Sequence, residues 1–137
     1  MATILQIMKI DRNLSLFMRG LKESQLENKL NENGPFTVLG PINLAFRKLV
    51  SLTYDQLLEP VNREELLDLL SGYIFPGKKL IHEFRHERKL LMLNGKEVVI
   101  RLKNGETHLN GAKILAHNMQ GSNGVIHVLD NMYESSE

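Results

Sequence analysis

The sequence predicts an α+β chain, with helices first and an antiparallel meander after. Two observations carry this. Through the first half, apolar residues recur at three- and four-residue steps, the spacing of a buried helical face. Through the second half, Asn-Gly pairs at 94–95, 104–105, 110–111 and 123–124 punctuate segments with a two-residue period. Asn and Gly tolerate the positive φ that tight hairpin turns demand. Because the two periods succeed one another rather than alternate, the pattern is α+β and not α/β.

The elements follow in order. Ile4, Leu5 and Met8, then Leu14, Phe17, Met18 and Leu21, mark two short helices separated near Asp11–Asn13. Leu26 and Leu30 lead into the breaker Asn33-Gly34-Pro35. Phe36-Thr37-Val38-Leu39 reads as a buried strand, and Gly40-Pro41 turns the chain. Ala45, Phe46, Leu49 and Val50 return to helical spacing, with Asn43 as the predicted N-cap. The strongest helix signal is NREELLDLLSG. Asn62 and Glu65 are placed to form a capping box, and Gly72 to end the helix in the left-handed conformation. Strands are predicted at 89–93, 96–102, 106–109, 112–118 and 125–130.

Composition narrows the function classes. The 137 residues suit one domain, and 42% hydrophobic with 24% charged is ordinary for a globular fold. A net charge of +1 and 6% aromatic residues give neither the field nor the stacking platforms that nucleic acid binding uses. Cysteine is absent, which excludes disulfides, thiolate metal sites and a cysteine nucleophile. No apolar run approaches the ~20 residues of a membrane span. The stretch MATILQIMKIDRN has no basic region ahead of its apolar residues and no small-residue cleavage site. A chain that is not exported and one with a trimmed start both fit that.

Two long stretches carry a resemblance. GPFTVLGPINLAFRKL, from Gly34 to Leu49, is similar to the first signature of the fasciclin-type domain, and SNGVIHVLDNM, from Ser122 to Met132, to the second. LLDLLSGYIFPGK and KNGETHLNGAKI resemble the segments that the family places between them, and the N-terminal helical residues resemble its opening helices. The resemblance implies a single fasciclin-type domain over 2–133 with a polar tail at 134–137. It implies helices packed on an antiparallel β-sandwich or wedge. It also implies a non-enzymatic, extracellular or cell-envelope module for adhesion or ligand binding, without a cofactor. The implied partners are extracellular matrix, a cell-surface protein or a polysaccharide, and neighbouring fasciclin domains in a longer protein. The signature positions Phe36, Thr37, Pro41, Asn43, Phe46, Gly124, Val125, Ile126, His127, Val128 and Asp130 are expected to be mainly structural, with His127 a neutral ring holding a backbone partner. Two positions depart from the family. Ile42 replaces a threonine, and Gly72-Tyr73 replaces a Tyr-His pair whose neighbourhood is linked to integrin binding in animal members, so the resemblance does not by itself imply that activity here.

One motif points elsewhere. HEFRH, His82 to His86, fits H-E-x-x-H, which on a helix sets two imidazoles on one face with a glutamate base. A metal-dependent hydrolase would use His82, Glu83 and His86 with a third ligand from Glu97, Glu106 or His108. The plainer expectation is a charged connector, with at most adventitious metal at His82 and His86. Tyr73, Arg85, Arg88 and Lys89 are the candidate binding surface, the basic residues suiting an acidic glycan. A structural spacer in a larger envelope protein is a further alternative. Asp55 with Glu59, and Glu64, Glu65 and Asp68, read as caps and solvated faces rather than a paired acid and base.

Overall fold

The computed structural model describes residues 1–134; Ser135 to Glu137 of the expected tail lie outside the described residues. Six α-helices occur: α1 (Ile4–Lys9), α2 (Ser15–Glu23), α3 (Leu26–Leu30), α4 (Asn43–Phe46), α5 (Tyr54–Leu57) and α6 (Arg63–Ser71). Seven strands are present among these residues: β1 (Phe36–Pro41), β2 (Ile74–Pro76), β3 (Lys89–Leu91), β4 (Glu97–Lys103), β5 (Glu106–Leu109), β6 (Ala112–Gly121) and β7 (Gly124–Leu129), of which all but β2 match predicted strands. They form one sheet in the order β2-β1-β7-β6-β5-β4-β3. All neighbours are antiparallel except β1 and β7, which run parallel from Phe36 opposite Gly124 to Pro41 opposite Leu129.

The sheet bends at β6. Its register with β7 shifts twice between Ile114 and Met119, and Asn118 there takes a left-handed conformation with φ of 59°. Such bulges turn a strand away from its plane. The bend carries β3 back toward β2, and the Leu93 amide donates to the Ile74 carbonyl at 3.0 Å. The expected wedge is thus a single sheet folded on itself, its two edges brought together.

Buried side chains fill the space between this sheet and the helices. Every residue of β1 and of β7 is buried, as expected for central strands covered on both faces. Phe17, Phe46 and Tyr54 join α2, α4 and α5, with ring centroids 6.2 Å and 4.4 Å apart. The Tyr54 hydroxyl donates to the Leu16 carbonyl at 2.6 Å.

Several local expectations need correction. Asn43 is not an N-cap: it lies inside α4, the cap position is Ile42, and no side chain caps the helix. Asn62 occupies the cap position of α6 without capping it, because the turn at Pro60–Asn62 aims its amide at the Gln56 carbonyl, 2.8 Å away. Gly72 has φ of −70°, not left-handed. Glycine is needed there because a Cβ would sit 2.8 Å from the Asn94 amide nitrogen. The side-chain caps that do form are Thr3 with Gln6 on α1 and Thr53 with Gln56 on α5, both T-x-x-Q boxes.

Candidate functional site

The two signature strands put two polar side chains into the core, and both reach the same segment. Thr37 on β1 is fully buried; its hydroxyl donates to the Gly77 carbonyl at 2.7 Å and accepts from the Lys79 amide at 2.9 Å. His127 on β7 is also fully buried, with Nε2 2.7 Å from the Lys79 carbonyl and Nδ1 3.1 Å from the Asn118 amide. A carbonyl can only accept and an amide N–H only donate, so the ring is neutral with its proton on Nε2. Burial holds His127 below its ordinary imidazole value, and the bond to the Lys79 carbonyl only partly opposes that. Asn118 completes the grip, its side-chain oxygen accepting from the Ile81 amide at 2.9 Å. Thr37, His127 and Asn118 therefore clamp residues 77–81.

Past the clamp the chain forms a charged connector. Ile81–Glu83 make one 3₁₀ turn, and Glu83 Oε1 accepts from the Leu80 amide at 3.2 Å. Phe84 then adopts an extended backbone and buries its ring edge-on to His127, centroids 5.2 Å apart. Burying that ring contributes roughly 2–3 kcal/mol. It also interrupts any helix through HEFRH, so His82 and His86 cannot share a helical face. His86 Nδ1 instead accepts from the Leu102 amide at 2.9 Å, and Nε2 lies 3.3 Å from Glu87. The proposed third ligands are engaged elsewhere. Glu106 is held 2.9 Å from Lys113 Nζ and 3.0 Å from His108 Nε2, and the Lys113 bond above all lowers its pKa. Glu97 lies 3.9 Å from Lys89. Among the described residues no group of three His, Asp or Glu side chains could hold a metal ion. The geometric premise of the hydrolase reading is absent.

The predicted binding surface divides. Arg85, Arg88 and Lys89 are exposed. Arg85 and Arg88 form no ion pair among the described residues, whereas Lys89 faces Glu97. Tyr73 is no surface residue: it is 2% exposed, stacks on Tyr133 at 4.0 Å, and its hydroxyl accepts from the Tyr133 amide at 2.7 Å. Burial raises its pKa well above the ordinary phenol value.

The other signature positions act through the backbone. Asn43 accepts from the Leu16 amide at 2.9 Å and donates to the Arg12 carbonyl and the Ser15 hydroxyl, tying α4 to α2. Asp130 accepts from the Lys113 amide at 2.8 Å. Gly124 passes so close to Phe36 that a Cβ would overlap its carbonyl oxygen. Asn123, expected only in a hairpin turn, is buried; it accepts from the Ile4 amide and donates to the Leu30 and Glu32 carbonyls. Asn118 and Asn123 are the residues that sequence reasoning missed. For Asn123 the available signal was its place inside the second signature; Asn118 had none beyond its residue type.

The Fasciclin domain family model matches residues 12–133. The chain belongs to this family. Its relatives include Protein sll1483 of Synechocystis sp., 31% identical over 93% of this chain and 71% of its own. The transforming growth factor-beta-induced protein ig-h3 of Sus scrofa is 25% identical over 95% of this chain but 19% of its own length. In three dimensions the fasciclin fold superposes on a FAS1 domain pair from the insect cell adhesion molecule Fasciclin I, with TM-score 0.73 and 16% identity, covering 98% of this chain and 51% of that one. Among the described residues no helix is long and apolar enough to cross a membrane.

Proposed function

We propose that this fasciclin domain is a non-enzymatic adhesion module working outside the cell or at its envelope, and that it binds an acidic polysaccharide through the connector between β2 and β3. The observation that carries the reading is the rigid display of unpaired guanidinium groups. Arg85 and Arg88 lie on a segment that Thr37, His127 and Asn118 clamp at one end and the buried Phe84 anchors in the middle. From 78 to 89 the chain carries Lys78, Lys79, Arg85, Arg88 and Lys89 against Glu83 and Glu87 alone. Membership of a family that includes a cell adhesion molecule supports the adhesive role. Single contacts of this kind are weak and salt-sensitive, so useful strength comes from several copies acting together.

Retention on an immobilised sulfated polysaccharide tests this. The wild-type domain should bind at low ionic strength and elute as salt rises, and Arg85→Ala/Arg88→Ala should pass through. Equal retention of the two proteins, or none for either at low salt, would refute the assignment.

A further inference from the structure

A second region, independent of the connector, has the form of a small-molecule site. The segment Asn131–Tyr133, just past β7, crosses a groove floored by Leu49 and Leu69. One lobe, of about 610 Å³, opens between the α4–α5 loop and α6, where Leu52 and Leu57 join the lining. The other, of about 670 Å³, opens between the end of α6 and the β3–β4 hairpin. Leu49, Leu69, Met132, Tyr133 and Glu134 border both. These volumes are those of ligand clefts, typically ~300–1,000 Å³.

Tyr133 supplies the second observation. Its ring lies on Tyr73, and its hydroxyl is the one buried side-chain polar atom without a hydrogen-bond partner among the described residues. An orphaned buried hydroxyl costs about 1–3 kcal/mol, which a ligand offering a partner would relieve. Charge decides the ligand class. Glu65, Asp68, Glu97 and Glu134 stand around the two lobes with Lys48 and Lys96; Asp68 pairs with Lys96 and Glu97 with Lys89, which leaves Glu65 and Glu134 without an ion pair among the described residues. That rim repels anions.

We infer that the groove binds a small cationic amphiphile, its apolar body along Leu49, Leu52, Leu69 and Met132 and its head at the Tyr133 hydroxyl and the acidic rim. Submicellar decylammonium, with decanoate as the anion of equal chain length, tests this by methyl NMR titration of the whole chain. The methyl signals of Leu49, Leu52, Leu69 and Met132 should shift saturably, with decylammonium about ten-fold tighter than decanoate. Tyr133→Phe keeps the ring and removes the hydroxyl. It should weaken decylammonium about three- to ten-fold while leaving the melting temperature unchanged or higher, since it removes an unsatisfied group. The inference is overturned by equal affinity for decanoate, or by shifts spread equally to Ile10 and Val61, which are 84% exposed outside the groove. It is overturned as well by a Tyr133→Phe variant that binds like wild type or melts lower.

Discussion

The β1–β7 pair and the connector it holds are built on opposite terms. In the pair every residue is buried, and its two polar side chains are satisfied: the Thr37 hydroxyl both donates and accepts, and both ring nitrogens of His127 are bonded. In the connector Lys78, Arg85, Glu87 and Arg88 are charged and exposed, and Arg85 and Arg88 form no ion pair among the described residues. Yet three of the four bonds made by those two side chains go to the start of the connector, and the fourth goes to Asn118 on β6. The lesson is that a buried motif can serve a surface without containing it: the signature fixes the backbone from which Arg85 and Arg88 project. Changes in the pair should therefore show as stability, and changes in the connector as binding.

The largest expected effect comes from closing the approach of the two strands. Gly124→Val would drive a side chain into the Phe36 carbonyl, and a loss on the order of 4 kcal/mol or more is expected in urea unfolding. Phe84→Ala removes the anchor shared by both regions and should cost about 3–5 kcal/mol. If polysaccharide retention survived that substitution undiminished, the connector would not depend on its anchor.

His127 gives a subtler separation. Its folded pKa is lowered, so below the unfolded value the unfolded chain binds more protons than the folded one. It therefore adds stability above about pH 6.5 that is lost as pH falls toward the folded value, at up to about 1.4 kcal/mol per pH unit. Denaturation midpoints measured between pH 7 and pH 5 should decline in wild type and decline less in His127→Gln. Parallel slopes would remove the assigned role. Smallest of all, Arg85→Ala/Arg88→Ala should change stability by no more than about 0.5 kcal/mol, because both side chains are exposed and form no ion pair among the described residues.

Most of the fold was legible because periodicity reports burial directly. Helices gave way to strands where the period changed, and β5 was placed to the residue. Identical dipeptides, however, need not do identical work. At 104–105 and 110–111 both residues take positive φ, and at 94–95 only Gly95 does. At 123–124 neither does, and the Asn123 side chain is spent on three backbone groups distant in sequence, those of Ile4, Leu30 and Glu32. Nothing local to a dipeptide reveals such partners. HEFRH is the connector expected and not the helix that its motif would require, for the same reason: Phe84 packs on His127 of a distant strand and not on its own neighbours. The missed caps are different, since Thr3-x-x-Gln6 and Thr53-x-x-Gln56 were readable throughout.

The parallel join of β1 and β7 also bears on how the chain reaches this state. It unites Phe36 with Gly124, so most of the sequence forms the loop that this contact closes. Loop closure costs entropy before the pairing repays it, and topologies rich in such distant contacts fold slowly. During synthesis β1 is the first strand of the domain to emerge, wholly apolar on both faces apart from Thr37, and its central partner β7 is the last. Until then only the short β2 can cover one of its edges. A nascent or truncated chain ending before Gly124 would carry an open, aggregation-prone strand at its heart.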